Sequence, residues 1–294
     1  MGYSKNKLKK KNFLKVMFVV LLLLLIAGIT ILVLANTEDM LTIGSISDKS
    51  NNVSDDIAKN SKPIIIDNII VGAVYNHEFV SANKYLSYSS NKVNTEMNVY
   101  TSRGKNGTFK INSITKNNTY TQALTSSINV TEEYFAIPSS DVNAMPIVPI
   151  QVDATDEDYK AVKDALGKYR LLNNSINISS VYDVSVNLND TYKIMCVTSS
   201  KNDKGIYSAV IFTNSNRTKS KIIKYSYVKD KENASSWPIY SFEFAADLNG
   251  DGNSEIMIRE INESEVKYDI LEYDNNSNNF VEVLSAIVQL EEND

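Results

Sequence analysis

Tyr240-Ser-Phe-Glu-Phe-Ala-Ala-Asp-Leu-Asn-Gly-Asp-Gly-Asn-Ser-Glu-Ile-Met-Ile258 sets two apolar runs on either side of a polar loop. Tyr240, Phe242, Phe244 and Ala246 alternate with Ser241, Glu243 and Ala245, the period-2 pattern of a strand with one buried face. Ile256 and Ile258 resume the pattern after the loop, with Met257 between them. The stretch therefore predicts strand, loop, strand. Within the loop Asp247, Asn249, Asp251, Asn253 and Glu255 place oxygen-bearing side chains at positions 1, 3, 5, 7 and 9, with Gly252 at position 6. A hard cation such as Ca²⁺ takes six to eight oxygens from a loop that turns sharply. Glycine supplies the positive φ that such a turn demands without a steric cost. The EF-hand reading fails, because strands flank the loop and position 12 is Ile258 where a bidentate glutamate is needed. A plain polar hairpin turn, in which Asp and Asn side chains satisfy main-chain donors without a metal, is the competing reading.

The run Phe244 to Ile256 resembles the calcium loops of FG-GAP and VCBS repeat proteins over roughly residues 240–260. There, a strand leads into Asp-x-Asn-x-Asp-Gly and a second apolar strand leaves it. The resemblance implies a structural Ca²⁺ held by the side chains of Asp247, Asn249, Asp251 and Glu255 and by the main-chain carbonyl of Asn253. It also implies an extracellular setting. Glu255 stands where that family usually has Asp, and this chain carries a single such loop.

Outward from the loop, the pattern from Val181 to Leu284 is a meander of short strands separated by turns rich in Asn, Asp, Gly and Ser. Strands are expected over 181–188, 192–198, 206–214, 221–227, 239–246, 255–260, 267–273 and 280–284. One amphipathic helix is expected near 155–170. Thr155 followed by Asp158 is an Asp variant of the capping box, and Tyr159, Val162 and Leu166 share a face. Gly167 suits its C-terminal end. In the N-terminal half, Pro63 to Tyr75 reads as two strands around Asp67-Asn68, and 95–101 with 108–114 as a hairpin. Pro138, Pro146 and Pro149 then mark a boundary. The ectodomain is thus read as mainly β and antiparallel, a sandwich or partial propeller-like sheets. Its parts are a β-rich subdomain at 62–150 and a helix plus β-meander at 151–294.

Ahead of it lie a basic segment (1–15), an uninterrupted apolar run (16–35) and a polar stretch (36–61). Twenty apolar residues at 1.5 Å each span about 30 Å, the thickness of the hydrocarbon layer. Lysines precede the run and Glu38 and Asp39 follow it, which places the N-terminus in the cytoplasm and the rest outside. We read it as a single-pass transmembrane helix. A cleaved signal peptide is the alternative, since Val33-Leu34-Ala35 resembles a processing site. The polar stretch is read as a flexible stalk.

The first 37 residues carry six lysines and no acid; the remainder has 24 basic against 35 acidic residues, a net charge of −11. That excludes nucleic acid as a partner, because phosphate contacts need a basic face. The wealth of Asn, Lys, Ile and Ser reads as the bias of an AT-rich bacterial genome. Cys196, the only cysteine, lies in the apolar Ile194-Met-Cys-Val197 and is read as a buried core residue. His77 is the only histidine, read as an exposed turn residue. One His and one Cys leave a zinc site or a Ser-His-Asp triad without residues. The chain reads as a membrane-anchored extracellular binding module for a cell-wall polymer or an extracellular protein. An envelope-associated regulator or inhibitor subunit is an alternative, and so is a carboxylate-dependent glycan hydrolase, which needs two facing carboxyls.

Overall fold

Five isoleucines, Ile64, Ile65, Ile66, Ile69 and Ile70, flank Asp67-Asn68, where both φ angles are positive (45° and 68°). Two consecutive left-handed residues make the tight turn whose twist matches paired strands, and β1 (Lys62–Ile66) and β2 (Ile69–Tyr75) form an antiparallel hairpin around it. The computed structural model describes residues 56–57, 60–88, 94–101, 104–116, 120–125, 134–138, 150–167, 175–186, 191–199, 205–229 and 237–290. The apolar run 16–35, the basic segment and most of the stalk lie outside them. Among the described residues no helix is long and apolar enough to cross a membrane. Residues Asp55–Asp294 form one compact unit.

The first half of that unit is a barrel. Its strands are β1, β2, β3 (Glu78–Ser81), β4 (Glu96–Thr101), β5 (Gly104–Lys116), β6 (Thr121–Thr125) and β7 (Phe135–Pro138). The hydrogen-bonded order β1-β7-β4-β5-β6-β2 returns to β1 and closes the ring, with β3 attached to β2. Ala123 N–H to Asn68 O (2.8 Å) seals the β6–β2 joint. Ile65, Ile70, Ala73, Met97, Val99, Phe109, Ile111 and Ala136 point inward. Tyr85 of the short helix α1 (Ala82–Tyr88) joins them. Open sandwich or propeller-like sheets were expected here, so closure is a correction. Its cause is long-range pairing: β7 slots between β1 and β4, which period-2 patterning cannot reveal.

Beyond the barrel, β8 (Ile150–Val152), β9 (Ile176–Ser185), β10 (Thr191–Ser199), β11 (Ile206–Asn214) and β12 (Ser220–Val228) form a five-stranded antiparallel sheet. A four-stranded meander follows: β13 (Ile239–Ala246), β14 (Glu255–Ile261), β15 (Glu265–Asp274) and β16 (Asn279–Gln289). This meander is a middle layer. One face packs on the outside of the barrel through Phe244, Met257, Tyr268, Ile270 and Leu284. The other packs on the five-stranded sheet through Tyr240, Phe242, Ile256, Ile258 and Leu271. Burial on both faces explains why Ile256-Met-Ile258 does not alternate. The far face of the five-stranded sheet is covered by α2 (Asp156–Gly167), which buries Ala161, Val162, Ala165 and Leu166.

The capping box forms as the spacing predicts. Asp158 Oδ2 accepts from Thr155 N (2.9 Å) and Thr155 Oγ1 (2.8 Å), and Asp158 N donates back to Thr155 Oγ1 (3.3 Å). Arg217, on the β11–β12 turn, adds Nε to Asp158 Oδ1 at 2.6 Å and ties the helix end to the sheet.

Candidate functional site

The Asp247–Glu255 loop joins β13 to β14, as the strand–loop–strand pattern requires. Gly250 and Gly252 hold φ of +78° and +89°, and these two glycines let the main chain fold back over the acidic side chains. Asp247 Oδ1 accepts from Gly250 N (2.7 Å) and Asp251 N (3.1 Å), and Oδ2 from Gly252 N (3.0 Å). Asn249 Oδ1 also accepts from Asp251 N (3.0 Å), and Asp251 Oδ1 from Asn253 N (2.8 Å). These bonds satisfy the loop's donors as a polar turn does. They also orient its oxygens.

Glu255 breaks that self-sufficiency. Its side chain is fully buried at the base of the loop. Oε2 accepts from Leu248 N at 2.7 Å, but Oε1 is buried without a partner. Burial, reinforced by the charges of Asp251 and Asp247, pushes its carboxyl up to about 8 despite the Leu248 hydrogen bond. An unpaired buried oxygen costs about 1–3 kcal/mol, so this position calls for a proton or a cation. The donor set is all oxygen and so fits Ca²⁺ chemically. Among the described residues no three His, Cys, Asp or Glu side chains gather closely enough to hold a metal by themselves. A cation here therefore needs the amide and carbonyl oxygens of Asn249 and Asn253 as well.

The loop is docked on the barrel by the lone histidine. His77 occupies the β2–β3 turn with φ +66° and is exposed, as expected for a turn residue. Its Nδ1–H donates to Asn249 O at 2.6 Å. Cys196 is also where the sequence places it: 1 % exposed, with burial pushing its thiol up to about 11.

At the same end of the two sheets lies a groove of about 310 Å³, which sequence reasoning missed. Tyr192, Phe212 and Tyr273 give it aromatic surface, and Lys219 and Lys221 give it charge. Among the described residues its lining contains no carboxylate. The rings brace one another: Tyr192 to Tyr273 and to Phe212 at 5.6 Å, Tyr273 to Phe280 at 5.3 Å. Tyr273 follows Glu272, whose carboxyl is raised by burial and by the charges of Asp251 and Asp274. These residues come from four strands and the β11–β12 turn, and no local spacing marks them.

Asp67 and Glu243 are both raised, chiefly by burial. Asp67 accepts from Tyr134 N (2.9 Å) and Tyr268 OH (3.0 Å). Glu243 is held by the Ser241 hydroxyl and by Arg259 Nε at 3.3 Å. Each carboxylate is engaged in seating the barrel turn or the middle sheet.

No protein-family model matches the chain, and no curated protein or solved structure matches it. The site therefore stands on its own residues.

Proposed function

We propose that the chain is a membrane-anchored extracellular binding module whose Asp247–Glu255 loop takes a structural calcium ion. The observation that carries the calcium reading is the fully buried Glu255 carboxyl with one unpartnered oxygen, set beneath a loop of oriented oxygens. Asp247, Asn249, Asp251 and Glu255 would supply side-chain oxygens and Asn253 its carbonyl. The ion would neutralise this acidic cluster and pin β13 to β14. His77 carries that order to the barrel through Asn249.

Binding rather than turnover is supported by the neighbouring groove, whose described lining offers rings, amides and ammonium groups and no carboxylate pair. The apolar run at 16–35 and the lysines before it support anchorage with the acidic part outside. The test is co-sedimentation of the full detergent-solubilised chain with insoluble cell-wall material. The expected result is a pellet-bound chain in millimolar calcium that EDTA releases. A chain that stays in the supernatant in both conditions contradicts the reading.

A further inference from the structure

The part of the chain beyond residue 37 carries a net charge of −11, yet among the described residues lining the groove between the five-stranded and middle sheets the charged ones are two lysines, Lys219 and Lys221. Its two rims are fixed by their own side chains. On the β11–β12 turn, Asn214 Oδ1 accepts from Lys219 N at 3.0 Å and Asn214 Nδ2 donates to Thr218 Oγ1 at 2.9 Å. On the β15–β16 turn, Asp274 accepts from Asn276 N (2.9 Å) and Ser277 N (3.1 Å). Lys221 Nζ donates across to Ser277 O and links the rims. A binding site with walls ordered in advance loses less entropy when filled.

We propose that this groove binds a negatively charged saccharide. The rings of Tyr192 and Tyr273 are half-buried and line the groove, braced by buried Phe212. Such amphipathic rings suit the apolar C–H face of a pyranose. Lys219 is exposed at the rim. With Lys221 it supplies positive charge that a neutral sugar does not need and that a carboxylate or phosphate substituent does. At about 310 Å³ the groove is large enough for one or two sugar residues. This inference rests on the binding-module reading and names the ligand class.

The full chain in mild detergent is titrated calorimetrically with three probes: a hexamer of galacturonate, neutral chitohexaose and inorganic phosphate. The galacturonate hexamer is expected to bind about tenfold or more tightly than chitohexaose, and to weaken as salt rises. Lys219→Glu, at an exposed position that leaves the core untouched, is expected to weaken the charged hexamer about tenfold. Tyr273→Leu is expected to weaken both hexamers. Equal binding of charged and neutral hexamers, indifference to Lys219→Glu, or full competition by phosphate at the hexamer's own concentration overturns the proposal. Retention of Lys219→Glu on wall material, with wild-type retention intact, overturns the groove assignment alone. Failure of the wild type to bind wall material overturns the binding-module reading with it.

Discussion

Asp158 is fully buried. Burial works to raise its carboxyl, but hydrogen bonds from Arg217 and Thr155 outweigh that and hold it below the ordinary carboxylate range. A depressed folded-state value contributes stability above the unfolded value near 4, and that stability is lost as pH falls through the folded value. Asp158→Asn is therefore expected to cost about 2 kcal/mol at pH 7, and urea unfolding curves of the two proteins should converge in acid. Cys196 gives a second residue-scale prediction. A thiol pushed up to about 11 and 1 % exposed should resist a thiol reagent in the native state and react fully in guanidinium. The capping box and the buried cysteine were legible because each is a local pattern: Thr155 and Asp158 are three apart, and Cys196 sits within an apolar run. Arg217 was not, since its bond to Asp158 spans 59 positions. Nor was the burial of Glu255. The loop pattern marks Glu255 only as a ligand position; that the loop also bonds to the end of β9, where the Val186 carbonyl accepts from Ser254 N at 2.6 Å, no local pattern shows.

Strands were the most legible elements. The meander from β9 to β16 follows the expected segments within one or two residues, except that β9 is Ile176–Ser185 and not 181–188 and β16 runs on to Gln289 and not 284, because each apolar run ends in a turn of Asn, Asp, Gly or Ser. The barrel was not legible as a barrel, because β7 finds its neighbours β1 and β4 only in three dimensions. The segment after Phe79 was also opaque: it holds the end of β3 and the seven-residue α1, too short for periodicity to declare itself. Where β2 crosses β16, a Cβ at Gly72 would stand 2.7 Å from both the Val80 carbonyl oxygen and a Leu284 methyl. Gly72→Ala is thus expected to destabilise by about 2–3 kcal/mol. Leu284→Ala relieves the side-chain clash but leaves the carbonyl. The double variant should be less destabilised than the sum of the singles by about 1 kcal/mol, measured as a double-mutant cycle in urea.

At the scale of the whole unit, four layers stack in order: barrel, middle sheet, five-stranded sheet, helix. Phe135 stacks on Phe244 at 4.1 Å and Tyr268 bonds Asp67 to seat the middle sheet on the barrel. On its other face Lys224 and Lys267 clamp the fully buried Asp269 at 2.7 and 2.9 Å, and both reach Glu282. The Asp247 loop lies where this order can be tightened, joined to the five-stranded sheet by Ser254 and to the barrel by His77. An ion at the loop would stiffen three layers together, although it touches one hairpin. The most direct test is thermal melting of the full chain in EDTA and in calcium at about ten times its Kd, beside an Asp251→Ala variant. Occupancy should add about 1.4 kcal/mol, which for a unit of this size raises Tm by about 4 °C, in the wild type and not in the variant. An identical Tm in EDTA and in calcium for the wild type would contradict the account and leave the loop a plain polar turn.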